Sequence, residues 1–109
     1  MADQAVIDPT GFQAILTEQT WAEHIATRHP EVTRFRDRVV ETIKGPDAIH
    51  VGKQDPRCRI YSKRYVDTPG VGKELTLLVY VRSESGRVAT AHFMVRTFRR
   101  LGREIWPSK

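Results

Sequence analysis

The sequence predicts an α+β fold, with two N-terminal helices packed on one face of an antiparallel sheet of about four to five strands. Three observations carry this expectation. Apolar residues recur at helical spacing between residues 17 and 43, a His29-Pro30 step interrupts that spacing, and from residue 48 onward the pattern changes to period two. Helices first and strands afterwards, within 109 residues, leave room for one hydrophobic core and one domain.

Residues 1–10 read as a flexible N-terminus, and "GFQAIL" marks a brief first strand over 12–16. Thr17 is suited to cap a helix, and Glu18 and Glu23 lie towards the positive end of that helix, which reaches about Arg28. Proline pushes the residue before it away from the α region, so His29 ends the first helix and Pro30 begins the second. Val32, Phe35, Val39, Val40 and Ile43 then form one apolar face, and "KGPD" stops the helix. Residues 48–52 read as a short edge strand, "RIYSKRYV" (59–66) and "LTLLVYVR" (75–82) as longer ones. "SESG" closes a hairpin onto "RVATAHFMV" (87–95), with Gly86 in the left-handed position. Residues 96–109 remain as a basic C-terminal tail.

Composition narrows the class. With 39% hydrophobic and 28% charged residues the chain is neither disordered nor a bilayer span, since no apolar run approaches the ~18 residues that a span needs. The N-terminus has no signal-peptide pattern, and one cysteine, Cys58, excludes an internal disulfide framework and a cysteine-based zinc site. These features point to the cytoplasm and to no membrane partner. The net charge is +5, and it is lopsided: residues 1–60 hold eight Lys/Arg against nine Asp/Glu, residues 61–109 ten against four. A basic half suggests an anionic partner, with nucleic acid first.

The stretch "WAEHIATRHPEV" concentrates His24, Arg28 and His29 at the end of the first helix. Trp21, His24, Ile25 and Arg28 follow i, i+3, i+4, i+7, so His24 and Arg28 share the side of the apolar residues. In the last hairpin strand Ala89, Ala91, Phe93 and Val95 alternate with Val88, Thr90, His92 and Met94. The small alanines favour helices over the first set, leaving Thr90 and His92 on the open face. Arg59, Tyr61, Lys63 and Tyr65 alternate basic with aromatic. With the right register this row lies beside Thr90 and His92.

Other chemistries are disfavoured. "PGVGKE" (69–74) lacks the spacing and following helix of a phosphate-binding loop, and His24, His29, His50 and His92 lack metal-ligand spacing, so neither metal nor cofactor is expected. No GxSxG nucleophile elbow is present. The remaining imidazoles, cations and hydroxyls suit metal-independent RNA cleavage. The 2′-hydroxyl is its own nucleophile, so the protein needs only a base, an acid and cations for the phosphorane. His24, Arg28, His29, Lys63 and Thr90 are the candidate catalytic residues; Arg59, Tyr61 and His92 are the candidate substrate-binding residues. Each also has an ordinary structural use: a capping or core histidine, a surface arginine, an edge-protecting strand cation. Two other readings fit the same residues: a non-catalytic nucleic-acid-binding domain, and a domain whose cationic face meets a protein inhibitor or other acidic partner, as in a toxin–antitoxin pair or a phage accessory.

In order along the chain, "WAEHIATRHPEV", "VVETIKGPDAI", "RIYSKRY", "LLVYVR" and "VATAHF" resemble the phage-associated branch of the barnase–EndoU–colicin–RelE-like nuclease superfamily, over roughly residues 12–107. The resemblance implies N-terminal helices on an antiparallel sheet and a metal-independent ribonuclease acting on RNA. It implies that His24 and the Arg28-His29 corner supply the helical part of the site and Thr90 the sheet part, with Tyr61 and Lys63 contributing. The chain departs from the pattern at residue 92, where histidine replaces the expected aromatic residue.

Overall fold

Thr17 opens the helical region as expected: its hydroxyl accepts the Thr20 N–H at 3.1 Å, capping α1 (Glu18–Thr20). The computed structural model describes residues 3–95 and 100–107 of the chain. After α1 the helix widens into a π turn (Trp21–Ile25), with the Ala26 N–H donating to the Trp21 carbonyl, and returns to α geometry in α2 (Ala26–Arg28). Trp21 and Ile25 are buried. His29 breaks the helix at φ −132°, ψ 65°, ahead of Pro30. The second helix does not start in α form. It begins as a 3-10 helix (Pro30–Phe35), whose three-residue period turns both Val32 and Phe35 inward, and continues as α3 (Arg36–Lys44), burying Val39 and Ile43.

The chain forms an α+β fold, the helices preceding a five-stranded antiparallel sheet with a separate two-stranded one. The N-terminal stretch, expected to be flexible, is instead a strand, β1 (Gln4–Ile7), paired with β2 (Gln13–Leu16). Its Val6 joins Ala14 and Leu16 in the core, which fixes it. The main sheet comprises β3 (Ala48–Gly52), β4 (Cys58–Thr68), β5 (Gly72–Arg82), β6 (Val88–Met94) and β7 (Leu101–Trp106), in the order β6-β5-β4-β3-β7. The part of the basic tail from Leu101 to Trp106 is therefore a strand, and β3 is interior rather than an edge. Half-buried Ile105 and Trp106 pack against the core, which draws the tail in despite its charge. Residues 96–99 of that tail lie outside the described residues.

Gly86 takes φ 76°, as the hairpin requires, and a Cβ there would stand 2.5 Å from the Gln13 carbonyl oxygen. That close approach lets the Ile15 N–H donate to the Gly86 carbonyl at 2.7 Å, joining the small sheet to the large one.

Register decides the faces. Tyr61 pairs with Val79 and Val79 with Ala91; Lys63 pairs with Leu77 and Leu77 with Phe93. This face lies under the helices, with Tyr61, Leu77, Val79 and Ala91 packed among Ile25, Val32, Val39 and Ile43. Ala91 and Phe93 thus face the helices as expected. The row Arg59, Tyr61, Lys63, Tyr65 shares their face, not that of Thr90 and His92, which corrects the expected register. The second face carries Ile60, Tyr80 and Thr90 in one cross-strand row and Ser62, Leu78 and His92 in the next. A bulge leaves Ala89 unopposed between the Tyr80–Thr90 and Val81–Val88 pairs, so Val88 turns into the core instead of following Thr90. No helix among the described residues is long and apolar enough to cross a membrane.

Candidate functional site

The helix corner meets the sheet at its β6 edge. His29 is held by its own backbone, its N–H donating to the Ile25 carbonyl at 2.8 Å and its carbonyl accepting the Val32 N–H at 2.9 Å. From there its ring stacks on His92 of β6, with centroids 5.1 Å apart and planes 26° from parallel. His92 stacks in turn on Tyr80 of β5, at 5.4 Å and 21°, and its Nε2 lies 3.3 Å from the Tyr80 hydroxyl. Glu31 Oε1 stands 3.5 Å from His29 Nδ1 at the outer end of this ladder. Arg100, just before β7, brings positive charge to Tyr80 and His92.

Electrostatics separates the members of this cluster. Burial, together with the neighbouring His29 and Arg100, pushes the His92 imidazole down to about 4, so it is neutral at pH 7. Burial raises the Tyr80 phenol against the opposing pull of Arg100, so it keeps its proton. Thr90, opposite Tyr80 on the same face, buries its hydroxyl oxygen without a hydrogen-bond partner among the described residues. Leaving such a group unmet costs about 1–3 kcal/mol.

The other sequence candidates do not join this cluster. His24 lies half-buried in the π turn and Arg28 is exposed at the end of α2; no side-chain hydrogen bond or ion pair reaches either among the described residues. Lys63 is two strands from β6 and on the opposite face, donating to the Gly45 carbonyl at 3.1 Å. It lines an open groove with Asp37, Val40, Glu41, Lys44 and Gly45, where the charges are mixed. Tyr61 is fully buried and donates its hydroxyl to Asp8 Oδ2; Arg59 bonds the same oxygen at 3.1 Å and stacks on Phe12. Neither is open to a substrate. Thus His29, His92 and Thr90 come together, while Tyr80, Glu31 and Arg100 complete the cluster without having been singled out. Their sequence signal was present, because Tyr80 is in phase with Leu78 along β5, but only the register reveals its neighbours.

No family model, curated protein or solved structure matches this chain. Among the described residues no group of three or more His, Cys, Asp or Glu is arranged to hold a metal ion. The available groups are two imidazoles, a phenol, a hydroxyl and a guanidinium, a set that can bind an oxyanion and move protons near it.

Proposed function

We propose that this protein is a metal-independent endoribonuclease, akin in mechanism to the nuclease superfamily its sequence resembles, with His29 and His92 as its proton-transfer groups. The observation that carries the reading is the contact between these two imidazoles, one from the helix corner and one from β6. His92, neutral at pH 7, takes the proton of the RNA 2′-hydroxyl as its oxygen forms a bond to phosphorus. The bond from phosphorus to the 5′ oxygen breaks, and His29, with Glu31 at its Nδ1, donates a proton to that leaving oxygen. The products are a 2′,3′-cyclic phosphate and a 5′-hydroxyl. Arg100 faces the extra negative charge of the phosphorane and Tyr80 offers its hydroxyl to the phosphorane oxygens, while Thr90 lies opposite Tyr80 and supports it. Burial is the main cause that holds His92 down, and the approach of phosphate counters the added repulsion from His29 and Arg100, raising its basicity as substrate binds.

The test is incubation of purified protein with several RNAs in EDTA, followed by analysis of product ends. Cyclic phosphate ends support the reading. Binding without any cleavage would replace it with the non-catalytic nucleic-acid-binding alternative.

A further inference from the structure

The antiparallel order brings the end of β3, the start of β4, the end of β5, the start of β6 and the start of β7 to one end of the sheet. At that end each strand has a cation at or next to its terminal residue, besides Arg59 of β4, which is paired with Asp8. Across the sheet from β6 to β7 these are Arg87, Arg82, Arg57, Lys53 and Arg100. Backbone hydrogen bonds tie the tips together, from the Ser83 N–H to the Arg57 carbonyl at 2.8 Å and from the Lys53 N–H to the Arg100 carbonyl at 3.1 Å. With strands about 4.8 Å apart, the row spans roughly 19 Å. Two carboxylates oppose five cations here, Asp55 and Glu84, and Asp55 is shared between Arg57 at 3.1 Å and Arg82 at 3.4 Å.

This excess is local. The helical region, residues 18–44, holds five Lys/Arg and five Asp/Glu. At the other end of the sheet Lys63, Arg64 and Lys73 are matched by Asp47, Asp67 and Glu74. The imbalance therefore belongs to one edge of the molecule, and it adjoins the His29–His92 cluster through Arg100.

We infer that this row of cations is a docking track for the phosphate backbone of single-stranded RNA, leading away from Arg100 at the cleavage site; the inference rests on the proposed ribonuclease reading for its choice of nucleic acid. The chemistry of the loops favours a nucleic-acid backbone over a protein. Residues 52–57 and 82–87 contain no aromatic or large aliphatic side chain, which the centre of a protein interface would need, whereas Gln54, Ser83 and Ser85 are exposed and can donate to phosphate oxygens. Lys53, Arg57 and Arg87 are exposed and lie outside the imidazole cluster, so they contribute to binding long RNA and not to the reaction.

The test compares wild type with a K53Q/R57Q/R87Q variant. The ligand is a 20-nucleotide 2′-O-methyl RNA, which lacks the nucleophile and stays intact, and binding is followed by fluorescence anisotropy at several salt concentrations. Each lost phosphate contact should flatten the dependence of log affinity on log salt by ~0.7, so the variant's slope falls by about 2 and its affinity at 0.1 M salt by about 10²-fold. Cleavage of a dinucleotide, too short to reach the track, should not change. An unchanged slope and affinity overturn the track while leaving dinucleotide cleavage to support the ribonuclease. A wild type that binds steeply but cleaves nothing keeps the track and removes the ribonuclease. If polyglutamate binding depends on the three residues and RNA binding does not, the row belongs to an acidic protein and the inference fails.

Discussion

Two polar clusters lie on opposite faces of the same sheet, and they are built from similar groups to different ends. Under the helices, Asp8 accepts from the Thr10 N–H at 2.7 Å, the Thr10 hydroxyl at 2.6 Å, the Phe12 N–H at 3.0 Å, Arg59 at 3.1 Å and the Tyr61 hydroxyl. Every lone pair of that carboxylate is engaged, and the cluster fastens the β1–β2 hairpin to β4. On the second face, His29, His92, Tyr80 and Thr90 touch chiefly through ring stacking, and the Thr90 hydroxyl meets no partner among the described residues. The Asp8 carboxylate has no lone pair left to offer a ligand, although the buried Nε of Arg59 finds no acceptor among the described residues. The second cluster keeps its imidazoles and phenol uncommitted to any carboxylate of this kind, whereas Arg59 and Tyr61, the basic and aromatic residues that look functional in sequence, are spent on Asp8.

The contrast gives separable expectations. The largest concerns catalysis: His92→Ala and His29→Ala should each lower RNA cleavage about 10²–10⁴-fold with the melting transition retained, while His24→Ala and Lys63→Ala should stay within about threefold of wild type. Rates measured on one RNA under single-turnover conditions check this, and equal losses at Lys63 would erase the distinction between the faces. Next comes stability. Asp8→Ala leaves Tyr61 and Arg59 buried without their acceptor and should remove about 3–5 kcal/mol in urea unfolding, with the midpoint moving accordingly.

The two clusters should also separate in pH. Burial alone would raise the Asp8 carboxyl, but hydrogen bonds from Thr10, Tyr61 and Phe12 outweigh it and hold it below the usual carboxylate value of 3.8. Its contribution is therefore present above pH 3.8 and is lost as pH falls below it. His92 is held at about 4 against an ordinary 6.5, by burial first and then by His29 and Arg100, with Glu31 opposing and the Tyr80 hydroxyl beside it. The unfolded chain takes up that proton first, so stability declines from pH 6.5 towards 4. Urea midpoints measured from pH 8 to 3 should show both steps; His92→Gln removes the upper one and Asp8→Asn the lower. The smallest effect is expected at Arg28, exposed and without a side-chain partner among the described residues, where Arg28→Ala should change stability by less than about 0.5 kcal/mol.

Local rules made much of the fold legible. Thr17 caps, Pro30 interrupts, and Val32, Phe35, Val39 and Ile43 turn inward, because each depends on neighbours within one or two turns of chain. The hairpin at Gly86 follows for the same reason. What escaped were the long-range pairings. Charged residues in "LGREIW" conceal a strand whose place depends on β3, about fifty residues earlier in the chain. The register of β4 against β5 and β6 put Tyr61 and Lys63 on the face opposite His92, and the bulge at Ala89 reversed Val88. For the candidate site, His29, His92 and Thr90 stood out by residue type, while Tyr80 and Arg100 became neighbours only through that register.

The most direct test is an NMR titration of the histidine rings, alone and with a dinucleotide carrying a 2′-deoxy sugar at the scissile position. His92 should titrate near 4 in the free protein, it and His29 should shift when the dinucleotide binds, and the His92 midpoint should then rise. Shifts confined to His24, or an unmoved His92, would contradict the placement of the site where the two imidazoles meet.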